Sequence, residues 1–239
     1  MQRHTFVLIA GAWHGAWCWT KVAPRLAAQG HRVLAPELPA TGADSTDPSR
    51  VTLEGWARFV VETIARETER VTLVGHSRGG IVISRVAELA PERLRRLVYV
   101  SAYLLPAGSS LAEAARADAD SLVPPNMIPA VGGVTCTLRA DVVRDALFGH
   151  CTDEDYAFAL GHMTPEPLKP LVTPLKVTAE RFGNVPRAYI ECLQDRTVTL
   201  AAQRRMQTLL PCEPVHTLDS DHSPFLSHPG ELAGLLGGL

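Results

Sequence analysis

A chain of 239 residues with 46% hydrophobic content has the length and apolar share of one large domain able to bury its own core. With 23 basic against 25 acidic residues spread along it, and a formal charge of −2, it offers no basic face for nucleic acid or anionic lipid; a small neutral ligand is the better-matched partner. Five cysteines (Cys18, Cys136, Cys151, Cys192, Cys212), odd in number and without a C-x-x-C pair, argue against a disulfide framework or a zinc site and point to a reducing cytoplasm.

The first strand-like run, Phe6 to Ala10, follows the start of the chain with no apolar leader, and no run reaches membrane-spanning length. Neither secretion nor a membrane is expected. A loop of mostly small residues, Gly11-Ala12-Trp13-His14-Gly15-Ala16-Trp17, comes next, and Arg32 to Ala35 reads as a second strand. The β-branched run Val71 to Val74 then leads into Gly75-His76-Ser77-Arg78-Gly79, and Gly80 to Leu89 reads as helix. A Gly-x-Ser-x-Gly between strand and helix is the nucleophile elbow of an α/β-hydrolase. The serine sits in a strained turn, and its flanking glycines let strand and helix approach.

Further strand-like runs are Leu97 to Val100, Ala188 to Cys192 and Pro214 to Leu218. Short apolar runs alternating with helical stretches predict an α/β-hydrolase fold: about six mostly parallel strands with helices on both faces. The two N-terminal antiparallel strands of larger members are expected to be missing. Between Ala102 and Thr178 the pattern changes, with Pro106, Pro124, Pro125, Pro129, Pro165, Pro167, Pro170, Pro174 and a Gly132-Gly133 pair. So many breakers exclude a regular βαβ continuation, while Leu122, Val123, Met127, Ile128, Leu147, Phe148, Phe158, Leu160 and Met163 are too apolar for a linker. The expected organisation is a hydrolase core of residues 1–103 and 179–239 with an inserted cap at 104–178.

A serine nucleophile needs a base, and the base needs an orienting acid; in this fold they follow in the order Ser, Asp or Glu, His. His222 lies just after the last strand-like run, where a loop can aim its ring at the elbow. His216 falls within that run, His228 precedes Pro229 at the start of the final helix, and His150 and His162 belong to the cap. Asp195 ends the loop after Ala188 to Cys192. Its rivals Asp219 and Asp221 stand too near His222 to approach the ring from behind, and read as solvated or loop-capping acids; Glu191 reads as a strand residue. The oxyanion hole requires two backbone N–H groups, expected from Ala12 and Arg78. Trp17 and Trp19 read as core, while Trp13 and His14 either support the first loop or line the pocket.

Gly11 to Trp19, Gly75 to Gly80, Gln194-Asp195 and Asp221-His222-Ser223-Pro224-Phe225 together resemble the plant hydroxynitrile lyase and methyl esterase family with its bacterial carboxylesterase and pyrethroid-hydrolase relatives. The resemblance spans nearly the whole chain. It implies Ser77, Asp195 and His222 as triad, Ala12 and Arg78 as oxyanion donors, and no cofactor or metal. The lyases resemble one another in a threonine at the position of Gly11 and a lysine at that of Ser223, so esterase is favoured over lyase here. Many relatives also have a histidine at the position of Ala10.

The expectation is a serine carboxylester hydrolase acting on small hydrophobic or aromatic esters through an acyl-enzyme on Ser77. Its alternatives are a hydroxynitrile lyase and a non-catalytic small-molecule receptor. The candidate pocket comprises Gly11, Trp13, His14, Leu122, Met127, Phe148 and His162, and a homodimer is the candidate assembly.

Overall fold

The computed structural model describes residues 3–239; Met1 and Gln2, which the expected core segment includes, lie outside the described residues. In chain order the strands are β1 (Thr5–Ile9), β2 (Arg32–Leu34), β3 (Val71–His76), β4 (Leu94–Val100), β5 (Met127–Pro129), β6 (Thr135–Leu138), β7 (Glu166–Pro167), β8 (Arg187–Cys192) and β9 (Val215–Leu218). Six form one sheet in the order β2-β1-β3-β4-β8-β9, every pair parallel. The helices are α1 (Ala23–Ala28), α2 (Leu53–Ile64), α3 (Gly79–Leu89), α4 (Leu111–Arg116), α5 (Ala140–Leu147), α6 (Asp153–His162), α7 (Leu168–Val172), α8 (Leu200–Leu209), α9 (Pro224–Ser227) and α10 (Pro229–Gly237). No helix among the described residues is long and apolar enough to cross a membrane.

The period of two along each strand divides the interior into two cores, one on each face of the sheet. Val7 and Ile9 of β1, Leu73 of β3, Leu97 and Tyr99 of β4 and Tyr189 of β8 pack with Trp56 and Val60 of α2, Ile83 and Val86 of α3 and Met206 of α8. Their neighbours Phe6, Leu8, Val74, Val98, Val100 and Ile190 point the other way, onto Leu26 of α1 and Leu232 and Leu236 of α10. The six-stranded parallel sheet with helices on both faces is therefore as expected, with end shifts at single strands. β4 starts at Leu94 rather than Leu97, because the half-buried Arg95 and Arg96 continue a strand that their charge had hidden.

Because β1 lies between β2 and β3, the chain leaves it toward one edge and resumes on the other side. The loops after β1 and β3 then diverge and leave a crevice at the carboxyl ends. At that crevice α3 presses on the sheet so closely that side chains are excluded. A Cβ on Gly75 would meet the Gly79 carbonyl carbon at 2.8 Å, one on Gly79 the Ile9 oxygen at 2.7 Å, and one on Gly80 the Tyr103 oxygen at 2.4 Å.

The segment between β4 and β8 holds a small antiparallel sheet, β5-β6-β7. No regular βαβ continuation occurs there, as expected, and two of the prolines lie within strands. Pro129 and Pro167 lie on the two edge strands, where a missing donor is tolerated, and the central strand β6 has none. Gly132 and Gly133, at φ +87° and +66°, turn the β5–β6 hairpin. The segment has no separate core: Cys136, Leu138, Val143 and Leu147 join one core of the main sheet, Leu111, Ala115 and Leu171 the other.

Gly80→Ala places a methyl group against the backbone of Tyr103 with nothing flexible to yield. It is expected to destabilise the fold by about 1–3 kcal/mol, read as a lower urea midpoint with unchanged slope; an unshifted midpoint would contradict the close packing described.

Candidate active site

The end of β3 places Ser77 at φ +51°, the left-handed region, which is strained for a residue with a Cβ. The turn is held from three sides: Ser77 N–H donates to the Val100 carbonyl at 3.3 Å, while the Ser77 carbonyl accepts from Gly80 N at 3.0 Å and Tyr103 N at 3.1 Å. Beside it, the neutral ring of His76 donates from Nε2 to the carbonyl of His222 at 2.7 Å, and the two rings lie 4.6 Å apart. Burial, reinforced by the neighbouring His222 and His14, holds His76 well below the ordinary imidazole pKa. This contact brings the loop after β9 to the elbow.

His222 Nδ1 meets Asp195 Oδ2 at 2.6 Å, both side chains being buried. Asp195 is fixed by every remaining acceptor direction it needs. Its Oδ1 accepts from Thr197 N at 2.6 Å and Val198 N at 3.0 Å, and its Oδ2 also accepts from the hydroxyl of Ser101. No hydrogen bond between Ser77 Oγ and His222 Nε2 is formed among the described residues; such contacts commonly tighten only when substrate arrives. Asp221, predicted as a solvated or loop-capping acid, is buried and caps: it accepts from Ser223 N at 3.2 Å, Ser227 Oγ at 2.7 Å and His150 N at 2.9 Å. Asp219 accepts from Gln194 Nε2 at 2.9 Å, and Glu191 is a strand residue paired with Arg204.

The loop after β1 approaches the elbow from the opposite side. Within the backbone hydrogen bonding of the described residues, the N–H groups of Ala12 and Arg78 find no partner, so both remain free to serve an oxygen in the crevice. The backbone around them is held by Trp13 and His14. His14 Nδ1 donates to the Ala12 carbonyl at 2.6 Å, and burial pulls the His14 ring down to about 3, keeping it neutral. Trp13, at φ +62°, donates its N–H to Glu166 Oε2 at 3.0 Å and its indole Nε1 to the Cys136 carbonyl at 3.1 Å, and accepts from Thr164 N at 3.1 Å.

A cavity of about 220 Å³ opens above these groups. Ala12, Trp13, Ser77 and Arg78 face it from the crevice, and Tyr103, Leu111, Ala115, Val123, Met127, Leu168 and Leu171 supply most of the rest. Of the candidate pocket residues, Trp13 and Met127 line it; five do not. His14 and Phe148 are buried behind the loop, their ring centroids 5.7 Å apart, where they pack as core. Gly11, having no side chain, lies under His76 and Ser77. Leu122 turns its backbone to Arg196 and packs into the second core. His162 is exposed on α6, its Nδ1 on the Phe158 carbonyl at 2.7 Å. Sequence reasoning missed Glu166, Tyr103 and the walls of α4 and α7. The only local signals were an acid between Pro165 and Pro167 and the apolar pairs Leu111/Ala115 and Leu168/Leu171 at helical spacing.

Comparison with known proteins agrees with this architecture. The chain matches the alpha/beta hydrolase family over residues 6–235. It is 31% identical to methylesterase 7 of Arabidopsis thaliana, an alignment covering 97% of this chain and 94% of the relative. The chain spans little more than half the length of some curated relatives it matches, 55% for the putative chloroplastic methylesterase 13 of Arabidopsis thaliana. Among solved structures it resembles polyneuridine aldehyde esterase, with TM-score 0.88 and 27% identity, covering 98% of each chain. It also resembles the pyrethroid hydrolase of Sphingobium faniae JZ-2, with TM-score 0.83 and 28% identity, over 99% of this chain and 97% of that one. The family resemblance carried by the loop, elbow and histidine motifs therefore holds, and the chain belongs to the alpha/beta hydrolase family.

Proposed function

We propose that the protein is a serine carboxylester hydrolase that forms an acyl-enzyme on Ser77. The observation that carries this reading is the coupling of His222 Nδ1 to Asp195 Oδ2 at 2.6 Å beside a strained, buried serine turn. His222 Nε2 takes the Ser77 proton as Oγ attacks the ester carbonyl, while Asp195 holds Nδ1–H and stabilises the imidazolium. The developing alkoxide rests on the N–H groups of Ala12 and Arg78; a single such donor is worth about 3–4 kcal/mol in the transition state. His222 then protonates the departing alcohol, and water attacks the acyl group by the same route in reverse. The relatives named as esterases and hydrolases support this chemistry. The apolar cavity favours a small hydrophobic or aromatic ester.

Cyanohydrin cleavage on the same residues draws little support. Gly11 carries no hydroxyl, and a Cβ there would stand 2.7 Å from His76 Nδ1 and 2.9 Å from Ser77 Cβ, so a threonine does not fit without displacement. Ser223, fully buried behind His222, supplies no cation.

Ser77→Ala is expected to abolish the burst of p-nitrophenol from an activated ester such as p-nitrophenyl acetate, and an unchanged burst overturns the assignment. Ala115→Phe should fill part of the cavity. Its kcat/KM for p-nitrophenyl benzoate is expected to fall about tenfold or more relative to acetate; equal losses for both esters would show that the cavity does not hold the acyl group.

A further inference from the structure

The residue after the nucleophile is expected to contribute only its backbone, yet in this chain it carries a buried cation. The Arg78 side chain is 1% exposed, and its guanidinium lies 4.3 Å over the ring of Trp56. Its Nε faces Glu166 Oε1 at 2.9 Å, and its Nη2 donates to the Gly11 carbonyl at 2.8 Å. The other oxygen of Glu166 accepts the N–H of Trp13 at 3.0 Å. Desolvation is costly for both members of such a pair. Burial accordingly pulls the Arg78 pKa down and pushes that of Glu166 up. An apolar pair would fill the same space without that penalty.

The target of Nη2 explains the arrangement. The Gly11 carbonyl and the Ala12 N–H belong to one planar peptide unit and point in opposite directions. A cation on the carbonyl oxygen fixes the plane and draws electron density from the N–H at its other end, strengthening it as a donor. Glu166 grips the next peptide through Trp13 N, so the unit is held on both sides of Ala12. We infer that Arg78 is a positioning residue for the whole oxyanion hole: its own N–H is one donor, and its guanidinium, anchored by Glu166, aims and polarises the other. This rests on the esterase reading above, in which Ala12 and Arg78 meet the alkoxide.

The test compares wild type, Arg78→Met, Arg78→Lys and the double variant Arg78→Met/Glu166→Gln, none of which removes a backbone N–H. Each is assayed on p-nitrophenyl butyrate for kcat and KM, for inhibition by a trifluoromethyl ketone that forms a tetrahedral oxyanion on the serine, and for fluorophosphonate labelling of Ser77. Arg78→Met leaves Glu166 buried without a counterion and risks misfolding; the double variant removes both charges and carries the test in that event. The expected result is a fall in kcat of about 10–100-fold with KM within about twofold, a matching loss of trifluoromethyl ketone affinity, and partial recovery in Arg78→Lys. A folded double variant with wild-type kcat and ketone affinity, or one that loses only KM, overturns the inference while leaving the esterase reading intact. Wild type that neither turns over the ester nor labels at Ser77 overturns both.

Discussion

A serine can be presented at the end of a buried strand only where the chain reverses within a few residues, and that reversal demands contact between backbones. Here the backbone of Gly75 touches that of Gly79, Gly79 touches Ile9 of β1, and Gly80 touches Tyr103 beyond β4. Three strand ends are thereby locked to the start of one helix, with no side chain between them to relax. The left-handed Ser77 persists because its own peptide groups bond to Val100, Gly80 and Tyr103. The crevice that receives the other groups is a consequence of this crowding and of the strand order.

Around the elbow the buried carboxylates have assigned partners, while the backbone N–H groups of Ala12 and Arg78, two residues that line the cavity, are left without one. Asp195 receives two backbone N–H groups, one hydroxyl and one imidazole. Asp221 receives four donors, two backbone N–H groups, a hydroxyl and the Cys151 thiol, and so fixes the loop that carries His222. Glu166 links the segment between β4 and β8 to the loop after β1 through Trp13 N and to the elbow through Arg78. Leaving any one of these acceptors unfilled in the interior costs about 1–3 kcal/mol, which favours a single arrangement of the three loops. The segment between β4 and β8 is thus part of the site's framework as well as a wall of its cavity.

The sheet was legible because parallel strands buried on both faces are near-continuous apolar runs, and six such runs stand out in the chain. Asp195 and His222 were legible because chain order and the strand ends restrict where partners of an elbow serine can lie; the structure brings those two into contact. The segment between β4 and β8 was harder to read. Its prolines signal interruption, but on the edge strands β5 and β7 they are compatible with pairing, and Gly132-Gly133 turns a hairpin rather than ending an element. His14, which could support the first loop or line the pocket, supports the loop, and Phe148, expected in the pocket, packs behind it, since aromatic rings near a site are as readily its backing as its wall. Glu166 could not be found locally, since its partner Arg78 lies far away in sequence and a single acid between two prolines names no contact.

A covalent intermediate on Ser77 can be observed directly. Protein quenched in acid during turnover of a slowly deacylating ester, such as p-nitrophenyl pivalate, and examined by intact-mass spectrometry with peptide mapping, should carry one acyl group on the peptide containing Ser77. Turnover without an acylated species, or with the acyl group on another residue, would contradict the account.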